Sequence, residues 1–195
     1  MRKVIVDSIL AGICISFGGI VNLKVGGIAG AVLFSFGLIT VICYRLKLYT
    51  GVSGFVRTRQ DFIELPVVIL GNVVGCLLVG IACKMAIPDI VPTAQGIVDA
   101  RLAKSSWQVL LLATACGFVM TTVVNFARQG KWLPLLFGIP LFILSGFIHS
   151  IADAFYLCTA LDFSTLTWGI ALLYLMELLG NFIGCNVYRG FQKLA

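Results

Sequence analysis

Long apolar runs separated by short polar stretches are the feature that most constrains this fold. A membrane-spanning helix needs roughly 20 mostly apolar residues, and lipid-exposed backbone must satisfy its own hydrogen bonds, which favours helices. Six segments qualify, and we expect them at about Val4–Val21, Val25–Tyr44, Leu65–Ala86, Trp107–Ala127, Trp132–Phe147 (with apolar sequence resuming to Leu161) and Leu166–Tyr188. The sequence therefore predicts an all-α membrane protein with six transmembrane helices.

The composition excludes a soluble domain. Hydrophobic residues make up 60% of the chain and charged residues 11%, and the mean hydropathy is +1.07, whereas soluble domains carry about 25% charged residues. The net charge of +6 does not indicate nucleic-acid binding, because the basic residues lie between the apolar runs. The basic N-terminus and the apolar run after it are interpreted as an uncleaved first helix.

Seven cysteines lie almost entirely within the apolar runs. Their number is odd and no two have C-x-x-C or zinc-type spacing, so neither a disulfide framework nor a metal site is predicted. They are interpreted as small buried hydrophobes, and no cofactor is expected.

The basic residues predict the orientation, because cytoplasmic loops are enriched in lysine and arginine. With the N-terminus inside, ten basic residues are internal, namely Arg2, Lys3, Arg45, Lys47, Arg57, Arg59, Arg128, Lys131, Arg189 and Lys193. Four are external, namely Lys24, Lys84, Arg101 and Lys104. Both termini are therefore predicted to be cytoplasmic. The loops are short, the longest being a non-helical stretch around Pro88, Pro92 and Gly96, so an enzyme is not expected.

A six-residue motif occurs twice, in the third and the sixth apolar segment. Residues 71–76 and residues 180–185 both read G-N-x-x-G-C. Each copy is in the third helix of a three-helix half, and halves with an odd number of helices cross the membrane in opposite senses. This is typical of inverted-repeat transporters with discontinuous helices. We expect halves at about 1–90 and 100–195 in one domain, with breaks in helix 2 near residues 48–51 and in helix 5 at His149-Ser150.

His149 is the only histidine and lies in one of these expected breaks. An ionisable residue at membrane depth is costly and usually marks a pathway, a proton relay or a ligand counter-charge. An imidazole can donate a hydrogen bond to an anion or lend it a proton. A purely structural histidine that caps the break is the alternative.

Three motifs in order resemble those of the formate/nitrite transporter family, over essentially the whole chain. Residues 146–153, GFIHSIAD, resemble the family's G-F-E-H-S-[IV]-A-N signature. Gly37-Leu38 followed by residues 48–51, LYTG, resembles its G-L…[EDK]-L-F-T-[GS] segment, and residues 180–184 match its G-N-[IF]-I-G. The resemblance implies an aquaporin-like protomer, a homopentamer in lipid, and one pore per protomer for formate, nitrite or hydrosulfide.

Two neighbours of His149 depart from the family pattern. The family glutamate is Ile148 here, and the family asparagine is Asp153. Helix 4 also has Met120-Thr121-Thr122 where the family usually has an asparagine. The isoleucine at position 148 removes a candidate partner of the imidazole. The aspartate at position 153 places a potential negative charge near an anion path, unless it is protonated or paired.

The resemblance also implies roles for further residues. The substrate pore would contain His149, Thr50, Ser150, Asp153 and Lys104. Apolar constrictions would be formed by Phe34, Leu38, Tyr49 and Phe142. Structural interpretations of these residues stay open. Thr50 could be a turn residue, the aromatic residues could serve only in packing, and Lys104 could lie at the membrane interface. Arg101 is the alternative candidate for the role of Lys104 in the pore. Asn72 and Asn181 are interpreted as structural, because amides often join membrane helices.

The sequence thus predicts a channel or transporter for small monovalent anions in a bacterial plasma membrane, proton-linked through a central histidine. The main alternative is a neutral-solute channel of the aquaporin type, although paired Asn-Pro-Ala boxes are lacking. A membrane enzyme or redox subunit is disfavoured, because one histidine supplies no haem or metal ligand set. No nucleic-acid partner is expected.

Overall fold

The chain folds into α-helices joined by short turns. The computed structural model describes residues 1–160 and 167–192, so the predicted segment ends at Leu161 and Leu166 and the basic residue Lys193 lie outside the described residues. The described ranges contain helices and no strand. The helices are α1 Arg2–Val25, α2 Gly27–Cys43, α3 Tyr49–Val52, α4 Arg59–Ala86, α5 Val91–Leu102, α6 Ser106–Arg128, α7 Leu133–Leu144, α8 Ser150–Ala160 and α9 Trp168–Gln192.

Four of these helices, α1, α4, α6 and α9, are long and apolar enough to cross a membrane. Two shorter apolar helices, α2 and α7, accompany them. Large hydrophobic side chains are exposed on several of these helices, for example Phe36, Leu70 and Phe137. Apolar surface of this kind suits lipid or a partner subunit, and the prediction of an all-α, multi-pass membrane protein is confirmed.

The prediction of a non-helical stretch around Pro88, Pro92 and Gly96 is wrong. Pro88 begins a short 3₁₀ turn, Pro88–Ile90, and α5 follows it directly. Pro92 is tolerated because it lies in the first turn of α5, where its missing N–H would have no helical partner in any case. Ala94 and Val98 then bury one face of α5 at helical spacing, and α5 packs against α8.

Helix α4 begins earlier than its apolar run. Thr58 Oγ1 accepts a hydrogen bond from the backbone N–H of Asp61 (3.1 Å), and the Asp61 carboxylate accepts one from the N–H of Thr58 (2.9 Å). This capping box satisfies two N–H groups that the first helical turn leaves free. The helix therefore starts at Arg59, before the predicted segment start at Leu65.

The helices are interrupted near both expected positions, and the two interruptions begin alike. After α2, Arg45 has φ +54° and its N–H donates to the carbonyl of Ile42 (3.0 Å). After α7, Gly146 has φ +70° and its N–H donates to the carbonyl of Ile143 (3.1 Å). In each case the next N–H bonds to the carbonyl five residues earlier, so both helices end in a Schellman motif. Each leads through a short non-helical segment into α3 or α8.

Two helix pairs, α1 with α4 and α6 with α9, form the most extensive contacts. Gly75 of α4 lies against the backbone of Ile9, and a Cβ at position 75 would overlap the Ile9 carbonyl oxygen. Gly184 of α9 lies in the same way against Thr114 of α6. Close backbone approach at small residues is a general means of packing membrane helices. The repeated G-N-x-x-G-C motif thus supplies one close contact to each pair.

Replacing Gly184 with alanine should destabilise the protein by about 1–3 kcal/mol, because the added methyl group forces α9 away from α6. The apparent midpoint of thermal unfolding in detergent measures this effect. Gly190→Ala is the matched control, since Gly190 lies in the same helix with open space around its Cβ position. Equal midpoints for the two variants would contradict the packing argument.

Candidate functional site

The interruption before α3 is held by the side-chain amide of Asn72. The carbonyl oxygen of this amide accepts a hydrogen bond from the backbone N–H of Tyr49 (2.9 Å). Its NH₂ group donates to the backbone carbonyls of Ser8 (2.7 Å) and Lys47 (2.9 Å). Asn72 is fully buried in α4, so one amide satisfies the N–H of Tyr49 and the carbonyl of Lys47 at the interruption and joins both to the backbone of α1.

Asn181 makes the corresponding contacts at the other interruption. Its carbonyl oxygen accepts from the N–H of Ser150 (2.9 Å), and its NH₂ group donates to the carbonyls of Ala113 (2.9 Å) and Ile148 (2.8 Å). We call the contacts of Asn72 and Asn181 the two asparagine bridges. Each bridge forms hydrogen bonds to the backbone on both sides of one residue. That residue is Leu48 in the first bridge and His149 in the second.

His149 is buried, with 1% of its surface exposed, and both ring nitrogens have partners. Nδ1 accepts a hydrogen bond from the backbone N–H of Ala152 (3.1 Å). Nε2 lies 2.9 Å from the Thr50 hydroxyl oxygen. Because Nδ1 is an acceptor, it carries no proton, and a neutral ring must hold its proton on Nε2. His149 therefore donates to Thr50 in this arrangement, and the Thr50 hydroxyl proton is free to point elsewhere.

Ser150 lies beside His149 but does not take part in this pair. Its N–H is bound in the second asparagine bridge. Its hydroxyl is buried and has no hydrogen-bond partner in the described part of the chain. The Ser150 hydroxyl is thus an unused polar group next to the histidine.

A cavity of about 170 Å³, here called the Arg101 cavity, reaches His149. Arg101 of α5 donates from Nε to Asp153 Oδ2 (2.9 Å) and from Nη1 to the carbonyl of Gly146 (3.2 Å). The cavity is lined by Asn22, Ile97, Ala100, Arg101, Phe142, Ile143, Phe147, His149, Ala152, Asp153 and Tyr156. Asp153 is therefore paired with a cation, which was one of its two expected roles.

Lys104 does not line the Arg101 cavity, in contrast to its expected place in the pore. Its ammonium group donates to the carbonyl of Ala100 (3.2 Å) at the end of α5. Arg101, one turn earlier, points inward instead. Of these two candidates, Arg101 is therefore the cation that lines the same cavity as the histidine.

A second cavity of about 590 Å³, the Arg128 cavity, shares no lining residue with the first. Its lining includes Leu38 and Leu48 on the apolar side, and Lys47 and Arg128 on the charged side. Arg128 donates to the carbonyl of Gly51 (3.3 Å), and its guanidinium lies 3.8 Å from the centre of the Phe55 ring. Each cavity therefore has an arginine in its wall.

The four predicted constriction residues are all at least nine-tenths buried. Phe142 stacks on His149 with ring centroids 5.6 Å apart and meets Phe34 edge-on at 5.9 Å. Phe142 lines the Arg101 cavity and Leu38 lines the Arg128 cavity. Tyr49 lines neither cavity, and its hydroxyl donates to the carbonyl of Leu178 (2.9 Å). Phe142 thus packs on His149 and Phe34 packs on Phe142, whereas Tyr49 is bound to the backbone of α9.

Ile148, which replaces the family glutamate, is fully buried among Val109, Ala113 and Leu173. Its side chain joins α6 to α9 and offers no polar contact to the imidazole. The departure from the family pattern at this position therefore removes a charge and adds apolar packing.

Comparison with known proteins decides the family. The sequence profile of the family described as Formate/nitrite transporter matches residues 1–193. The chain belongs to the formate/nitrite transporter family.

Individual members agree with this assignment. The chain is 27% identical to "Uncharacterized transporter YrhG" of Bacillus subtilis (strain 168), over 97% of this chain and 83% of that protein. Among solved structures, its fold is similar to an "FNT family ion channel", with a TM-score of 0.85, 20% identity, and coverage of 98% of this chain and 89% of the other. It is also similar to a "Pentameric formate channel with formate bound", with a TM-score of 0.82, 20% identity, and coverage of 99% and 96%.

Sequence reasoning missed several residues that line the two cavities of this family member. Asn22 donates from Nδ2 to the Tyr156 hydroxyl oxygen (3.2 Å), and both line the Arg101 cavity. In the sequence, Leu48 is part of a family-like motif and Arg128 is one of the basic residues between apolar segments. The interruption at Leu48 pointed to that residue, but no sequence signal directs Arg128 or Tyr156 toward a cavity.

Replacing Asn181 with alanine should lower the stability of the protein markedly. It leaves the N–H of Ser150 and the carbonyl of Ile148 unpaired inside the protein, and each such group costs about 1–3 kcal/mol. We expect a lower apparent unfolding midpoint in detergent, and a comparable loss for Asn72→Ala, because the two bridges have matching contacts. The control is Asn125→Ala, at an exposed position of α6. Equal unfolding midpoints for Asn181→Ala and Asn125→Ala would show that the asparagine bridges do not stabilise the interruptions.

Proposed function

We propose that this family member is a channel or transporter for small monovalent anions, with formate as a substrate and nitrite and hydrosulfide as further candidates. The observation that carries the proposal is the buried His149–Thr50 pair, placed where the Arg101 cavity ends and next to Leu48, which lines the Arg128 cavity. An anion would enter one cavity, pass the pair and its apolar neighbours, and leave through the other.

The two arginines contribute differently to the binding of an anion: Arg101 offsets the Asp153 carboxylate in one cavity wall, and Arg128 adds positive charge to the other. Positive charge in the wall of a cleft with low-dielectric surroundings concentrates anions there. Arg101 is held by Asp153 and Arg128 by a backbone carbonyl and an aromatic ring, so both guanidinium groups have fixed positions. The backbone carbonyl and the aromatic ring that contact Arg128 carry no net negative charge.

The buried pair favours passage of the neutral acid. Moving an unpaired carboxylate-sized ion into a low-dielectric interior costs on the order of 20 kcal/mol in the idealised case. Protonating a carboxylic acid whose pKa is near 3.9, like that of aspartate, costs only about 4 kcal/mol at neutral pH. Apolar narrowings such as that around Phe142 exclude hydrated ions. Protonation on the way through the protein is therefore the cheaper route.

The geometry of His149 bears on where that proton comes from. Because Nδ1 is already occupied by the Ala152 N–H, a protonated imidazolium would have to break this contact. We infer that His149 stays neutral and acts as a hydrogen-bond donor through Thr50, and that the proton comes from the bulk solution and reaches the anion through water in the cavity. The hydroxyl of Thr50 then donates to the substrate oxygen at the narrow point.

We further propose six membrane crossings arranged as two inverted three-helix halves, about 1–90 and 100–195, in a single domain. In this arrangement α2 and α3 form one interrupted crossing and α7 and α8 the other. The matching asparagine bridges and Schellman motifs support it. The name of one solved relative, a pentameric formate channel, supports a homopentamer in lipid. A bacterial plasma membrane with both termini cytoplasmic agrees with the distribution of basic residues.

Uptake by proteoliposomes tests the transport proposal. We expect formate uptake that increases when the lumen is more alkaline than the medium, and a loss of about tenfold or more in His149→Phe, because the donor pair is removed. Nitrite and hydrosulfide are measured in parallel, and Asn125→Ala is the control. Uptake of glycerol or water without any anion would favour the neutral-solute channel and contradict the proposal.

Replacing Arg101 with glutamine should reduce anion uptake by roughly tenfold or more. The substitution removes a positive charge from the cavity wall and leaves the Asp153 carboxylate without its partner. Lys104→Gln is the matched control, since it removes the same charge close by in the chain but outside the cavity. An equal loss in both variants would mean that general surface charge, and not the Arg101 cavity, attracts the anion.

A further inference from the structure

Glu177 of α9 is a buried acidic residue that the proposed transport route does not use. None of its surface is exposed, and neither carboxyl oxygen has a hydrogen-bond partner in the described ranges 1–160 and 167–192. An ionised carboxylate in such a place loses its hydration without compensation. A neutral carboxylic acid avoids most of this cost, so the position favours a glutamate that keeps its proton.

The surroundings connect Glu177 to the wall of the Arg101 cavity. Glu177 lines a narrow cleft together with Arg101, Asp153 and Tyr156, and these three residues also line the Arg101 cavity. Glu177 thus lies directly behind the Arg101–Asp153 ion pair, while His149 does not line the cleft. Any change in its charge acts on that pair at short range.

The other titratable groups near Glu177 come from each neighbouring element. The titratable groups on α5 and α8 line the cleft with Glu177. The titratable groups on α3, α6 and α9 are two phenols and a thiol, which are neutral. They are Arg101 on α5, Asp153 and Tyr156 on α8, Tyr49 on α3, Cys116 on α6 and Tyr174 on α9. Arg101 is therefore the one cation in this group, and it faces two carboxyl groups.

We propose that Glu177 is a proton-binding site that sets the charge of the cavity wall and thereby controls anion entry. With its proton bound, Arg101 and Asp153 cancel and the wall is neutral. When Glu177 releases its proton, two carboxylates face one guanidinium and the wall becomes net negative. Anions are then repelled from the approach to His149. The effect on entry rests on the proposed anion transport, whereas the protonation of Glu177 does not.

Infrared spectroscopy tests the protonation without altering position 177. The chain has two glutamates, Glu64 and Glu177, so Glu64→Gln leaves Glu177 as the only one. We use this variant, made by cell-free synthesis with isotope-labelled glutamate and reconstituted in lipid. The isotope-shifted C=O band of a protonated carboxyl group should be present near neutral pH and disappear in alkaline medium. A labelled carboxylate signal near neutral pH, with no protonated band, would overturn the proposal.

A second variant tests the charge balance. In Asp153→Asn, Arg101 keeps no carboxylate partner except Glu177. Glu177 should therefore ionise, and its protonated band should disappear near neutral pH in the same Glu64→Gln background. A band that persisted unchanged in Asp153→Asn would show that burial alone holds the proton and would overturn the proposed charge balance with Arg101.

Transport tests the effect on entry. Glu177→Gln is fixed in the neutral form, so the ratio of its formate uptake to that of the unmodified protein cancels the pH dependence of the substrate. We expect a ratio near one at acidic and neutral pH that rises to roughly tenfold in alkaline medium. A ratio that is independent of pH in a correctly assembled variant would overturn the proposed control of entry. Absence of anion uptake by the unmodified protein would instead contradict the proposed function, and the infrared bands would still decide the protonation.

Discussion

The two asparagine bridges are the interactions on which the rest of this structure depends. A helix interrupted at membrane depth exposes backbone groups that lipid cannot satisfy. Asn72 and Asn181 each satisfy one such N–H and one such carbonyl with one buried amide, which also bonds to a carbonyl of a neighbouring helix. They also hold the backbone on both sides of Leu48 and His149, and each of these two residues lies between helices and not within one. Without the bridges, the imidazole would have no fixed position relative to Thr50.

Charged and apolar side chains are distributed around the His149–Thr50 pair. Arg101 and Arg128 lie in the walls of separate cavities, and the side chain of Ile148 next to the histidine is apolar and buried. The carboxylate introduced at Asp153 is balanced by Arg101 at 2.9 Å. The two departures from the family pattern therefore have different consequences. One increases apolar packing beside the histidine, and the other creates an ion pair that lines a cleft together with Glu177.

The sequence was sufficient for the features that depend on local pattern. Apolar runs indicated the long helices, the repeated G-N-x-x-G-C motif indicated the asparagines, and the sole histidine indicated the second interruption. The prediction of a non-helical stretch is wrong at α5, because Pro92 lies in the first turn of that helix, where proline is tolerated. The sequence could not choose between Arg101 and Lys104, since the orientation of α5 about its axis decides which of them points inward. Arg128 and Tyr156 reach their cavities only through tertiary packing.

The central claim is that the substrate passes His149 as a neutral acid. The most direct test is the luminal pH of proteoliposomes, followed with a trapped dye after formate is added outside at equal starting pH. Net entry of the neutral acid acidifies the lumen faster than in protein-free liposomes and generates no membrane potential. Entry of the bare anion would instead produce a negative luminal potential without acidification, and that result would contradict this account.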